Sequence, residues 1–190
     1  MGQMSTKSRF YILAVISIVI LPGCGSRHFV MPDPSSYDVV LKVNYFHQKS
    51  ESLCGFACLE MVADYYDHTL DARYSGLLEK EAKETGGITA ASMKACMDNS
   101  GFDTAVFPGT LNNKDLQGIY RHLDLKRPLI ILMTERKGDI GHYIVLTGYE
   151  SKTHMIAAIN PGNGYAVVNE NDILPVWKEA GFLTVLALPK

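Results

Sequence analysis

The 190-residue chain has one tryptophan, four cysteines, no excess of basic charge and no apolar run of membrane-spanning length. Each scarcity narrows the field. Sparse cysteine argues against a disulfide-built scaffold. Eighteen Lys and Arg against 20 Asp and Glu, with no basic cluster, argue against a nucleic-acid partner. No internal repeat or low-complexity tract appears, so an array of repeated units is not expected.

What is present begins with an address. Lys7 and Arg9 precede an apolar run over residues 10–21 that stops at Pro22, a signal-peptide pattern. Such a run makes a helix of roughly 18 Å, against a hydrocarbon core of about 30 Å. It closes on Leu21, Pro22, Gly23 and Cys24, which resembles a bacterial lipobox. The resemblance implies cleavage before Cys24, lipidation and N-acylation of that cysteine, and a membrane tether through its acyl chains. Gly25 stands where an acidic residue would suggest retention at the inner membrane. The expected location is therefore the outer membrane on its periplasmic side, with the inner membrane, same side, as the alternative. The expected parts are a signal peptide over 1–23, a lipidated cysteine and tether over 24–36, and one domain over 37–190. Loss of Lys7 and Arg9 leaves 16 basic against 20 acidic residues, formally −4.

Hydrophobic periodicity divides the domain. Residues 37–46 alternate approximately and predict a strand that leads into a loop. Ala57, Cys58, Met61, Val62 and Tyr65 follow a helical period, predicting a helix over 54–66 with Ser52 as its cap. Further helices are expected over 71–84, ending at Gly86-Gly87, over 89–99, and from Asn112 or Asn113 to about Leu123. A short strand is expected over 102–107. The period then changes: strands are predicted over 128–133, 142–149, 155–159, 165–168 and 182–188, with a turn at 137–139 and a short helix over 171–179. Helices first and strands afterwards predict an α+β fold.

Four residues are spaced so as to divide acyl-transfer chemistry between them. Cys54 opens a helix, where first-turn N–H groups and the helix dipole favour a thiolate nucleophile. His142, at the start of an apolar strand, can take the thiol proton and return one to the leaving group. Asn160 ends the next strand, so a hairpin brings its amide oxygen to the imidazole and fixes the tautomer. Gln48, six residues before the cysteine, can offer a side-chain N–H to an oxyanion together with the Cys54 backbone N–H. Gly55 and Ala57 are read as leaving room around the nucleophile for Gly or Ala next to the scissile bond.

The segments YFHQKSESLCGFACLEMVADYY at 45–66, GHYIVLTGYE at 141–150 and INPGNGY at 159–165 resemble the papain-like peptidases that process double-glycine leaders of bacteriocins and related peptides. The resemblance covers about residues 40–188. It implies a papain-like fold, a helical part holding the cysteine against an antiparallel sheet holding the histidine, and no cofactor or metal. It also assigns Gln48 to the oxyanion, Cys54 to the nucleophile and His142 to the base. Asn160 stands where this family usually has Asp and where papain-like enzymes generally have Asn. A second departure is context: family members are usually fused to an exporter, whereas no transporter segment is read in this sequence. The resemblance implies a peptide or protein substrate and a secretion or export machinery as a possible partner.

The leading expectation is a cysteine endopeptidase that works through a thioester. A lipid-anchored peptide-binding or chaperone-like module with little turnover is the alternative from another class, and an amide-bond transferase using the same thioester is a third. Blander readings stand beside the catalytic ones. Cys58, one turn after Cys54, is a core residue or a redox partner; Cys96 is the third cysteine of the domain, so at least one thiol stays unpaired. His47 is a candidate to line the cleft, while His28, His68, His122 and His154 read as structural or surface residues. Asn160 also fits an ordinary Asn-Pro-Gly turn, Gly141 serves either substrate access or local geometry, Gly86-Gly87 is a helix stop, and Trp177 is a packing anchor.

Overall fold

The computed structural model describes residues 34–135, 138 and 140–190. The signal run, Cys24 and His28 lie outside the described residues, as does all of the 137–139 turn except Gly138. Among the described residues the order is β1 (Val39–Val40), α1 (Cys54–Tyr65), α2 (Ala72–Thr85), α3 (Ala90–Asn99), β2 (Phe102–Pro108), α4 (Ile119–Asp124), β3 (Leu129–Met133), β4 (His142–Glu150), β5 (Met155–Asn160), β6 (Gly164–Asn169), α5 (Glu170–Glu179) and β7 (Leu183–Pro189). The strands form one antiparallel sheet in the order β2-β7-β3-β4-β5-β6. The α+β expectation is met, with α1 to α3 ahead of most of the sheet.

Local signals explain the first helices. Asp71 caps α2 by accepting from the N–H groups of Arg73 and Tyr74, and Gly86 ends it in the left-handed region at φ +80°. Thr89 caps α3 through the Ser92 N–H. Ser52 does not cap α1. A 3₁₀ turn over Glu51–Leu53 runs directly into that helix, whose first turn has no side-chain cap.

Two other expectations fail for tertiary reasons. The strand expected over 37–46 pairs only at Val39 and Val40, opposite Tyr149 and Gly148 of β4. On β4, the pairing with β3 ends at Leu146, so β1 finds free edge only beyond it. The helix expected from Asn112 or Asn113 begins only at Ile119, with Gly118 as N-cap. Asn112 instead closes a loop: its Oδ1 accepts from the Lys114 and Asp115 N–H groups and its Nδ2 donates to Thr110 and Asp115.

Alternation along β4 sets the layers. Tyr143 meets α1, where a Cβ on Gly55 would lie 3.0 Å from its ring. Ile144 lies on the other face with Ile173 and Val176 of α5. The start of α1 is thus held against the start of β4. Cys58, Leu59 and Met61 are fully buried behind it.

Candidate active site

The site forms where the first turn of α1 meets the edges of β4 and β5. His142 Nε2 lies 3.0 Å from Asn160 Oδ1. The same Oδ1 accepts from the Gly162 N–H at 2.9 Å, as only the oxygen of the amide can. Nε2 therefore carries the ring proton and donates it to Asn160, which leaves Nδ1 as the acceptor for the sulfur. The Asn-Pro-Gly turn and the orienting role coincide: the turn folds Gly162 back onto Asn160 and so fixes which way the amide points.

Cys54 is buried. Burial pushes its thiol up, but hydrogen bonding with His142 and from the backbone N–H groups of Tyr143 and Gly55, together with the imidazolium charge, outweighs that and leaves it below its ordinary value. His142 moves the other way. Its hydrogen bond to Cys54 raises it, burial opposes, and the thiolate charge and Asn160 add to the rise. The two shifts favour proton transfer from sulfur to ring.

Gln48 is carried on a segment stitched to the same turn. Its backbone N–H donates to the Pro161 carbonyl at 3.0 Å, Tyr45 Oη donates to that carbonyl at 3.2 Å, and Tyr165 Oη donates to the Val43 carbonyl at 3.0 Å. Gln48, His142 and Asn160 line one 640 Å³ cleft. The Gln48 Oε1 is buried with no hydrogen-bond partner among the described residues. His47 lines this cleft too, with Nδ1 2.7 Å from Tyr45 Oη.

A 310 Å³ hollow on the Cys54 side is lined by Cys54, Gly86, Gly87, Ile88, Leu132 and Ile140, among others. The sequence reading missed these walls. Gly86 is the helix stop expected of it and also a cleft wall: a Cβ there would lie 3.2 Å from Ile140 Cδ1. Ile140, two positions before the histidine, is 75% exposed, which only the fold reveals. Gly55 and Ala57 do not open the cleft. Gly55 faces Tyr143, Met93 and Ile88 inside the core, and Ala57 is buried. Gly141 lines both the cleft and the hollow and is also fixed by local geometry, since a Cβ would lie 2.5 Å from Leu132 and 2.9 Å from the Met133 carbonyl. Trp177 is a packing anchor, buried and donating to the Leu183 carbonyl at 3.2 Å.

Cys54, Cys58 and Cys96 are free thiols. Among the described residues no group of His, Cys, Asp and Glu is arranged to hold a metal ion.

A helical part presenting a cysteine to a histidine on an antiparallel sheet defines a cysteine peptidase of papain-like α+β fold. The profile of the peptidase C39 family matches residues 42–186, and the chain belongs to that family. Three solved structures share the fold. One is the peptidase domain of Streptococcus ComA, a bi-functional ABC transporter involved in a quorum sensing pathway, at 20% identity over 76% of this chain and 97% of that one, TM-score 0.58. The second is a C39-like peptidase from Bacillus anthracis at 15% identity over 80% and 98%, TM-score 0.55. The third is a double glycine motif protease from an AMS/PCAT transporter, in complex with the leader peptide, at 17% identity over 80% and 96%, TM-score 0.53. Comparison with curated proteins finds no match.

These relatives correct one expectation. Residues 1–25 alone predict an outer-membrane or inner-membrane location facing the periplasm, whereas two of these three relatives are described as belonging to transporters, which contradicts that location. Among the described residues no helix is long and apolar enough to cross a membrane.

Proposed function

We propose that Cys54, His142, Asn160 and Gln48 carry out peptide-bond hydrolysis as nucleophile, general base and acid, orienting amide and oxyanion donor. The observation that supports this best is the fixed imidazole: Nε2 is committed to Asn160, whose oxygen is itself held by the Gly162 N–H. His142 Nδ1 takes the thiol proton as sulfur attacks the scissile carbonyl. The Gln48 side-chain N–H and the Cys54 backbone N–H receive the oxyanion. Collapse of the adduct passes the proton from His142 to the leaving amine and leaves a thioester on Cys54. Water, deprotonated by His142, then releases the acyl product and restores the thiol. The preferred residue before the cut is Gly or Ala, a reading supported by the Gly86-Gly87 wall, where an added Cβ would lie 3.2 Å or 3.8 Å from Ile140.

The substrate class is a peptide or protein, and a transport machinery is the proposed partner, because relatives of this fold are peptidase domains of transporters. A lipidated Cys24 following a cleaved 1–23 segment is also proposed, supported by the Leu21-Pro22-Gly23-Cys24 sequence; it concerns the modification and no particular membrane. An intact mass of the cell-derived chain decides it, since an unmodified Cys24 in a chain retaining residues 1–23 refutes it.

The catalytic assignment is tested with a small thiol-directed electrophile and intact mass. One fast adduct, absent from Cys54→Ala, is expected, together with peptide cleavage that the same substitution abolishes. Full cleavage by Cys54→Ala refutes the assignment.

A further inference from the structure

The mechanism uses the nitrogens of His142 and leaves the space beside its ring unexplained. A 410 Å³ cleft opens there, walled by His142, Met133, Ile140 and Val176 and by the polar Thr134 and Glu135. A second, apolar hollow of 130 Å³ shares Met133 and Val176 with it and continues between the sheet and α5, lined by Ile144, Ala158, Ala166 and Ile173 among others. Strand register explains the hollow. Ala158 and Ala166 are direct cross-strand partners on β5 and β6, and both are buried. Two methyl groups thus stand side by side under α5, where branched side chains would fill the layer.

Proton transfer decides which part of a substrate reaches this slot. His142 must hand its proton to the leaving amine, so the residue bearing that amine lies against the imidazole. The acyl part stays over Cys54, toward the hollow walled by Gly87 and Ile88. We propose that the slot beside His142, framed by Met133, Val176 and the Ala158/Ala166 pair, is the subsite for a large apolar side chain on the leaving-group side of the scissile bond. The proposal rests on the cysteine peptidase assignment above. The apolar inner part of the slot selects by burial, and filling it with a leucine- or phenyl-sized group is worth about tenfold or more over a methyl group.

The test needs no natural substrate. Two glycyl vinyl sulfones, one with a methyl and one with a phenyl group on the sulfone, carry that group to the leaving-group side. The Cys54 thiolate adds to the vinyl carbon and the neighbouring carbon takes up a proton, so nothing else is lost. Rates of adduct formation on the full chain, read by intact mass and normalised to each probe's rate with glutathione, are expected to favour phenyl by about tenfold. Ala158→Leu and Ala166→Leu, which fill the slot, are expected to bring the ratio near one. Val176→Ala, which widens the slot without crowding it, is expected to shift preference toward a bulkier naphthyl sulfone. Equal normalised rates in the native chain, a phenyl advantage that survives both filling variants, or no shift in Val176→Ala overturns the proposal. A Cys54 that reacts with neither probe overturns the peptidase assignment itself, a result distinct from equal rates.

Discussion

Cys54 and Cys58 sit one turn apart on the same helix and are shifted in opposite directions. Burial pushes the Cys58 thiol far up, and the neighbouring Cys54 adds to that. Burial pushes Cys54 up as well, yet His142 and the Tyr143 and Gly55 N–H groups bring it below its ordinary value. One helix thus holds one thiol raised and one lowered, and most of the lowering comes from His142 and Tyr143 of the sheet, with the Gly55 N–H of the helix adding to it. The helix supplies position and dryness. On the proposed assignment the sheet supplies the proton acceptor, the orienting amide and a backbone donor, all within the β4 and β5 ends.

The most severe way to break this comparison is to exchange the two sulfurs' fates. Cys54→Ala is expected to remove all adduct formation and cleavage, whereas Cys58→Ala keeps both and lowers thermal stability only modestly, as read by intact mass and a melting curve. His142→Ala removes the sheet's main contribution, and at neutral pH the Cys54 alkylation rate is expected to fall by about a hundredfold. Asn160→Ala leaves the base in place but frees its ring, with an expected loss of about tenfold in alkylation. Asn160→Asp puts a carboxylate beside the imidazole, raises His142 further and carries the rise of the rate profile to lower pH. The smallest expected effects separate two glycines of the sheet region. Gly141→Ala is expected to cost about 1–3 kcal/mol in a denaturant titration, because its Cβ meets Leu132 and the Met133 carbonyl. Gly162→Ala meets atoms only at 3.4 Å and beyond and is expected to stay within about 0.5 kcal/mol of the native chain.

The same division governs how much could be read from sequence. In the helical region the information is local: Asp71, Thr89 and Gly86 mark their boundaries through side chain and backbone chemistry within a few residues. Asn112 shows the limit of such signals, since a capping residue type was equally able to close a loop with Thr110 and Asp115. The meeting of Gln48, His142 and Asn160 in one cleft, with Cys54 opening α1, was legible from element ends and from the loop before the helix, while their catalytic roles stand as the proposal above. Cleft walls were not legible. Ile140 meets Gly86 across more than 50 intervening residues, and the Ala158/Ala166 pair matters only once β5 and β6 are in register. The premature end of the strand at Val40 was hidden for the same reason, since it depends on where β3 stops along β4.

The central claim is that the sheet supplies most of what lowers the Cys54 thiol, and the pH dependence of Cys54 alkylation tests it most directly. Rates with iodoacetamide, followed by intact mass in the native chain and in His142→Ala, report where the thiolate appears. The native curve is expected to rise at lower pH than that of the unfolded chain, because the folded thiol is lowered. The His142→Ala curve is expected to rise at higher pH than the native one, as burial is then opposed only by backbone donors. Native and His142→Ala curves that coincide would contradict the account.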